Sequence, residues 1–292
     1  FSATRFPFSD SEQTGPDGRR AGILSPYTPE QRPKIFYTNT PVEYWGQGRA
    51  AALTHTTLDG ASDLALPDNV RMYLLSSTQH GEAAFPPARG GGQELPNPMP
   101  QRAVMRALLR ALHKWTAAAT LPPDSRYPKL ADGTLVKAGD VRFPVLPRVG
   151  DPRTIEEPGL LIKGTKVSLP FLVPQVDADG NDLAGIRVPE VAVPLATATG
   201  WTFRSDRIGN PTTILALTGS YIPLPRTRAE REASKDPRRS IEERYRGRDD
   251  YLQRIRASAV ALIKGGYLLQ EDLEDVVQRA ARHWDWRAGS AP

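Results

Sequence analysis

Two residues in this chain have the types and places for acid–base chemistry: a histidine that follows one apolar run and a carboxylate that follows another. The histidine is His80, one of four in the chain, in VRMYLLSSTQHG (70–81). The carboxylate is Glu43, in KIFYTNTPVEYW (34–45). A carboxylate bonded to one imidazole nitrogen fixes the ring's tautomer and stabilises the imidazolium, so the other nitrogen can take a proton from a hydroxyl. With the acid before the histidine, the third member is expected to be a serine upstream of both, on a G-x-S-x-G turn between strand and helix. No such pentapeptide occurs in the 292 residues. Ser2, Ser9, Ser11 and Ser25 lie upstream, but none has a strand–turn–helix setting. The chain therefore reads as holding an acid and a base without their nucleophile.

Other residues compete for roles. Asp59 and Asp63 lie in the loop before the His80 strand and are alternative acids; Glu43 is preferred because a position directly after a strand is held more rigidly. Tyr44 and Trp45, beside Glu43, are the candidates to line a substrate pocket. Trp201 and Arg204 are placed to close over the site, and Trp115 reads as core. His55, His113 and His283 read as structural, since no pair has metal-ligand spacing. DADGND (177–182) offers Asp177, Asp179, Asn181 and Asp182 as hard oxygen ligands for calcium. No glutamate follows at the spacing of an EF-hand loop, and a polar turn around Gly180 is the preferred reading. The scheme needs no metal and no organic cofactor.

The elements that must position these groups follow from periodicity. Strands are expected over 34–40 and 70–78, a short helix within 42–55, and a long helix from Gln101 to about Ala118. Val104, Met105, Leu108, Leu109, Leu112 and Trp115 form that helix's apolar stripe. Strand–helix–strand–helix order favours a parallel sheet, whose ligands gather beyond the strands' carboxyl ends. Glu43 and His80 would then share one rim. Residues 120–225 read as extended and β-rich, with prolines at strand edges. After Arg226 the chain turns helical: SIEE (240–243) has the capping-box pattern, Gly265–Gly266 suits a helix stop, and a last amphipathic helix carries Leu273, Val276, Val277, Ala280 and Trp284. The expected organisation is thus 1–119 with the acid and base, 120–225 as an added region, and 226–292 as a helical segment.

At 39% hydrophobic residues the chain can bury a sizeable core. It has no cysteine, which excludes disulfides and thiolate chemistry. The net charge of +5 is spread over interleaved acidic and basic residues, and no zinc spacing or basic block points to nucleic acid. No apolar run approaches the ~20 residues of a membrane span.

KIFYTNTPVEYW, LPDNVRMYLLSSTQHG, LRALHKW, PPDSRYPKLADGTLV, VDADGNDLAGIRVPEVAVPLATATGW and DPRRSIEERY together resemble the carboxy-terminal half of a large bacterial family of α/β-hydrolase-domain proteins. The resemblance runs over nearly all of the chain. It implies an α/β fold: the last parallel strands and helices of an α/β-hydrolase, with an added β-hairpin and helical region. It implies that Glu43 and His80 are the acid and base of a serine carboxyl-ester hydrolase. It also implies a longer precursor whose front portion carries the G-x-S-x-G serine, that portion being either a separate chain bound after cleavage or absent. The partners expected are that front-half polypeptide and a small ester. Relatives with signal peptides imply a secreted or periplasmic protein. The alternative is a non-catalytic subunit or binding module on a hydrolase-derived scaffold.

Overall fold

The computed structural model describes residues 6–46, 51–155, 159–162 and 165–289. Its strands are β1 (Gln13–Thr14), β2 (Arg20–Ala21), β3 (Ile35–Asn39), β4 (Val70–Leu74), β5 (Leu95–Pro96), β6 (Leu135–Lys137), β7 (Gly159–Ile162), β8 (Thr165–Ser168), β9 (Leu172–Pro174), β10 (Ala196–Ala198) and β11 (Ser220–Pro223). Its helices are α1 (Val42–Trp45), α2 (Arg102–Ala118), α3 (Pro189–Ala192), α4 (Arg228–Ser234), α5 (Ile241–Arg244), α6 (Arg248–Lys264) and α7 (Leu273–Ala288). No helix among the described residues is long and apolar enough to cross a membrane.

The β-branched and aromatic runs IFYTN and VRMYL suit a pleated, half-buried surface. They pair as the parallel strands β3 and β4, in register from Ile35 opposite Val70 to Asn39 opposite Leu74. Beyond β4, isolated parallel bridges join Tyr73 to Arg126 and Leu75 to Ile186. The expected strand over 70–78 stops at Leu74 because the chain turns: Ser77 has a positive φ of 54°. The remaining small sheets are antiparallel, the largest having the order β10–β11–β5.

α2 forms where periodicity places it, but its buried face is rotated from the expected stripe. Val104, Ala107, Leu108 and Trp115 are buried, whereas Met105 and Leu109 are 39% and 67% exposed. Trp115 packs against Phe36 of β3, ring centroids 5.8 Å apart, and so ties the helix to the parallel pair. Two further expectations are revised. An extended run gives way to α3, started by Pro189 in the first turn, where proline's missing N–H is harmless. The helix after SIEE ends at Arg244, and α6 restarts after Gly247. The Ser240–Glu243 capping box itself is present.

One core cluster draws Tyr73, Leu108, Leu195, Tyr221, Ile255 and Ala280 together, residues from all three expected sequence ranges. A second contains Tyr44, Trp45, Leu135, Phe171, Val173 and Trp201. Between the outer elements lies Arg238, only 3% exposed. It pairs with Asp236 and donates to the Ile222 and Pro223 carbonyls and to Thr197 Oγ1. A buried charge is tolerable only with such saturation.

His283 is sealed in the same core, its Nε2 bonded to the Tyr221 hydroxyl. Burial holds its pKa down at about 3, and holds that of buried His55 at about 4. Unfolded histidine titrates near 6.5. The unfolded chain therefore binds more protons as pH falls from 6.5 through these folded values, and stability drops by about 1.4 kcal/mol per pH unit for each histidine. Buried Asp182, pushed up to about 7 by desolvation, acts in the opposite sense, since its folded state takes up a proton first. The testable quantity is a difference between variants. Urea unfolding of His283→Gln at pH 7, 6 and 5 is expected to show a gentler loss of stability on acidification than wild type; parallel profiles would show that His283 is not held neutral.

Candidate active site

The sequence Thr40-Pro41-Val42-Glu43 starts a single helical turn directly beyond β3. Glu43 reaches back to the residue three before it, as the acid of a capping box does. Its Oε2 accepts from the Thr40 backbone N–H at 2.6 Å and from Thr40 Oγ1 at 2.7 Å. That leaves Oε1 for a second partner, which is His80: Nδ1 lies 2.7 Å away. The parallel pairing of β3 with β4 brings these groups together across 37 positions of sequence. The carboxylate is sheltered, with 17% of the side chain exposed, while 54% of the imidazole side chain is exposed. Nε2 has no hydrogen-bond partner among the described residues, so the ring is anchored on one side and open on the other. With Nδ1–H committed to the carboxylate, Nε2 is the nitrogen able to accept a proton.

The other candidate acids are engaged elsewhere. Asp63 accepts from the backbone N–H groups of Leu130 and Ala131, both at 2.9 Å, and so pins a distant turn. Asp59 is bonded to Thr57 and to the Ala61 N–H in an exposed turn.

Tyr44 and Trp45 do not line an open pocket. They are 0% and 2% exposed. Successive helical residues diverge by about 100°, so their proximity to Glu43 in sequence does not give them its direction. Tyr44 Oη meets His55 Nε2 at 3.0 Å. Trp45 packs on Phe171 and Trp201, with ring centroids 5.8 and 5.9 Å away. The expected pocket walls are pillars that support α1 from below. Trp201, 3% exposed, is one of these pillars and not a lid. Arg204 bonds the carbonyls of Ile208 and Gly209 within its own loop. Gly200 is needed for this packing, because a Cβ there would lie 2.5 Å from Pro41 Cβ and 2.6 Å from the Val42 nitrogen.

DADGND forms the polar turn, with Gly180 at φ 80°. Its oxygens are already partnered: Asp177 with Arg187, Asp179 with Arg244, Asn181 with the Ala198 N–H, and Asp182 with the Ser77 N–H. Two guanidinium groups thus occupy carboxylates that a calcium ion would need. Of the remaining histidines, His113 is exposed on α2.

Sequence reasoning passed over Thr40 and Asn97, and named Asp182 only as a turn residue or calcium ligand. Thr40 was legible as the first residue of a T-x-x-E pattern. Asn97 and Asp182 carry no local signal, because what they hold lies 20 and 105 positions away.

Residues 12–278 match a family model described as "Alpha/beta hydrolase domain". No curated protein and no solved structure matches the chain.

Proposed function

Since the chain belongs to the alpha/beta hydrolase domain family, we propose that it is the acid- and histidine-bearing portion of a serine carboxyl-ester hydrolase whose serine lies on polypeptide outside these 292 residues. The observation that carries this reading is the Glu43–His80 pair: a carboxylate with one oxygen capped by Thr40 and the other on Nδ1, beside a half-exposed imidazole whose Nε2 has no hydrogen-bond partner among the described residues. The absence of any G-x-S-x-G sequence from the chain supports placing the nucleophile elsewhere.

In the proposed reaction Nε2 of His80 takes the proton of the serine hydroxyl as its oxygen bonds to the ester carbonyl carbon. Glu43 stabilises the imidazolium. The tetrahedral adduct then collapses, its bond to the alkoxy oxygen breaks, and the imidazolium proton leaves with the alcohol. Water repeats the sequence on the acyl-enzyme, releasing the carboxylic acid and restoring the serine. Backbone N–H groups facing the developing oxyanion would supply the largest electrostatic term. Ester carbonyls need no metal for this route.

The missing serine motif also favours a second reading, in which the chain is a non-catalytic subunit or binding module on a hydrolase scaffold. Intact masses of native material, measured alongside aryl-ester hydrolysis, separate the two. The proposal expects hydrolysis in fractions where a second, serine-bearing polypeptide co-elutes. A homogeneous chain that neither hydrolyses esters nor binds a partner would favour the scaffold.

A further inference from the structure

The turn that delivers His80 is buried until its last residue. Ser76, Ser77 and Thr78 are 0% exposed and Gln79 is 7% exposed, after which the chain emerges at His80. Polar groups inside a core must be bonded: Thr78 Oγ1 closes the turn on the Leu75 carbonyl, and Ser76, Ser77 and Gln79 bond to remote segments. Asn97, itself 0% exposed, is the hub. Its Nδ2 donates to the Ser77 carbonyl at 2.9 Å and to the Thr199 carbonyl at 2.8 Å. Its Oδ1 accepts from the Met99 N–H at 2.9 Å, and its own N–H donates to Gln79 Oε1 at 3.0 Å. Gln79 Oε1 also accepts from the Gly219 N–H at 2.9 Å, and the Gln79 carbonyl accepts from Gln101 Nε2. Gly219 cannot carry a side chain there, since a Cβ would lie 1.9 Å from the Thr199 carbonyl oxygen. Ser77 is held in its left-handed conformation by a reciprocal pair with Asp182: its N–H donates to the carboxylate and its Oγ accepts from the Asp182 N–H at 2.7 Å.

Among the described residues the His80 side chain has one polar anchor, Glu43, and its ring is half-exposed. Where the ring sits is therefore decided by the backbone on its N-terminal side, which Asn97 fixes at Ser77 and, through Gln79, next to His80. We propose that Asn97 is a positioning residue for His80: it locks the 75–81 turn so that Nδ1 lies on Glu43 and Nε2 stays open. It also couples the histidine turn to the 199–219 region, giving that region a part in the site. This inference rests on the reading of His80 as the base.

The test reads the imidazole directly, without the serine-bearing partner. Long-range ¹H–¹⁵N spectra of neutral His80 distinguish Nδ1–H from Nε2–H. The wild-type ring is expected in the Nδ1–H form. Asn97→Asp sets an acceptor against the Ser77 and Thr199 carbonyls in place of a donor, and Nδ1–H should fall from the dominant form to a minority. Gln101→Ala, a milder loosening at the start of α2, should shift the ratio the same way by less. It decides the matter if Asn97→Asp fails to fold. Leu262→Ala, in the core beneath α6, should lower the melting temperature and leave the tautomer unmoved. A folded Asn97→Asp with wild-type Nδ1–H overturns the proposal, as does, where Asn97→Asp fails to fold, an unmoved ratio in Gln101→Ala. A wild-type ring lacking Nδ1–H overturns both this proposal and the dyad. Loss of Nδ1–H in the variants of a protein that never hydrolyses esters leaves Asn97's role standing and removes only the hydrolase reading.

Discussion

Replacing His80 by alanine is expected to lower ester turnover of the proposed two-polypeptide hydrolase by at least about a thousand-fold, while the chain keeps its fold. The size follows from the role. Without the imidazole nothing removes the serine proton or returns it to the leaving alcohol, and loss of a triad histidine leaves only the binding and oxyanion contributions. A thousand-fold corresponds to about 4 kcal/mol of transition-state stabilisation. The fold should tolerate the change because more than half of the His80 side chain is in solvent and, among the described residues, its polar contact is with Glu43. The check is kcat on an aryl ester together with thermal unfolding of the same preparation. Near-wild-type turnover in a folded His80→Ala protein would assign the base elsewhere.

Glu43→Gln is expected to be nearly as costly, with losses of about a hundred- to ten-thousand-fold in kcat. The amide keeps the shape and can still accept through Oε1, but it carries no charge to stabilise the imidazolium. If it presents its NH2 group to Nδ1, it selects the opposite tautomer and occupies the proton-accepting role with the wrong nitrogen. Thr40 makes the second outcome the natural one. The oxygen that it bonds accepts from both its N–H and its hydroxyl, so the glutamine oxygen should take that side and turn the NH2 toward His80. KM should change far less than kcat, since the carboxylate is placed on the imidazole and not on the substrate. Asp63→Asn serves as the counterpart. Its carboxylate pins the Leu130–Ala131 backbone, so that change should cost about 1 kcal/mol of stability and leave kcat in place. The reverse pattern, with Asp63 essential and Glu43 dispensable, would show that the acid has been misassigned.

How much of this was readable beforehand depends on the range of the interaction involved. The parallel pair was legible because it is made of two short β-branched, aromatic runs, each with a titratable residue a short turn beyond its end. That Glu43 and His80 share one rim follows from strand direction, since parallel neighbours end on the same side. The burial of Tyr44 and Trp45 was not legible. A four-residue helix offers too few positions to define a face, and what seats their rings is Phe171 and Trp201, far along the chain. On α2 the Leu and Met positions span more of the helix than any one neighbour covers. Periodicity marked an apolar region, but its covered part depends on where Trp115 meets Phe36. The clamp on the histidine turn was the least legible feature. Asn97 sits in LPNPMP, which reads as loop, and its partners at Ser77 and Thr199 are apparent only once the fold has brought them together.

The most direct measurement is covalent labelling of the native assembly with a serine-reactive aryl phosphonate, followed by peptide mass mapping in wild type and in His80→Ala. Catalysis through the Glu43–His80 pair requires a single adduct on a serine of an accompanying polypeptide, within G-x-S-x-G, formed in wild type and lost with the imidazole. An adduct forming equally fast without His80, or an active preparation in which no serine is labelled, would contradict it.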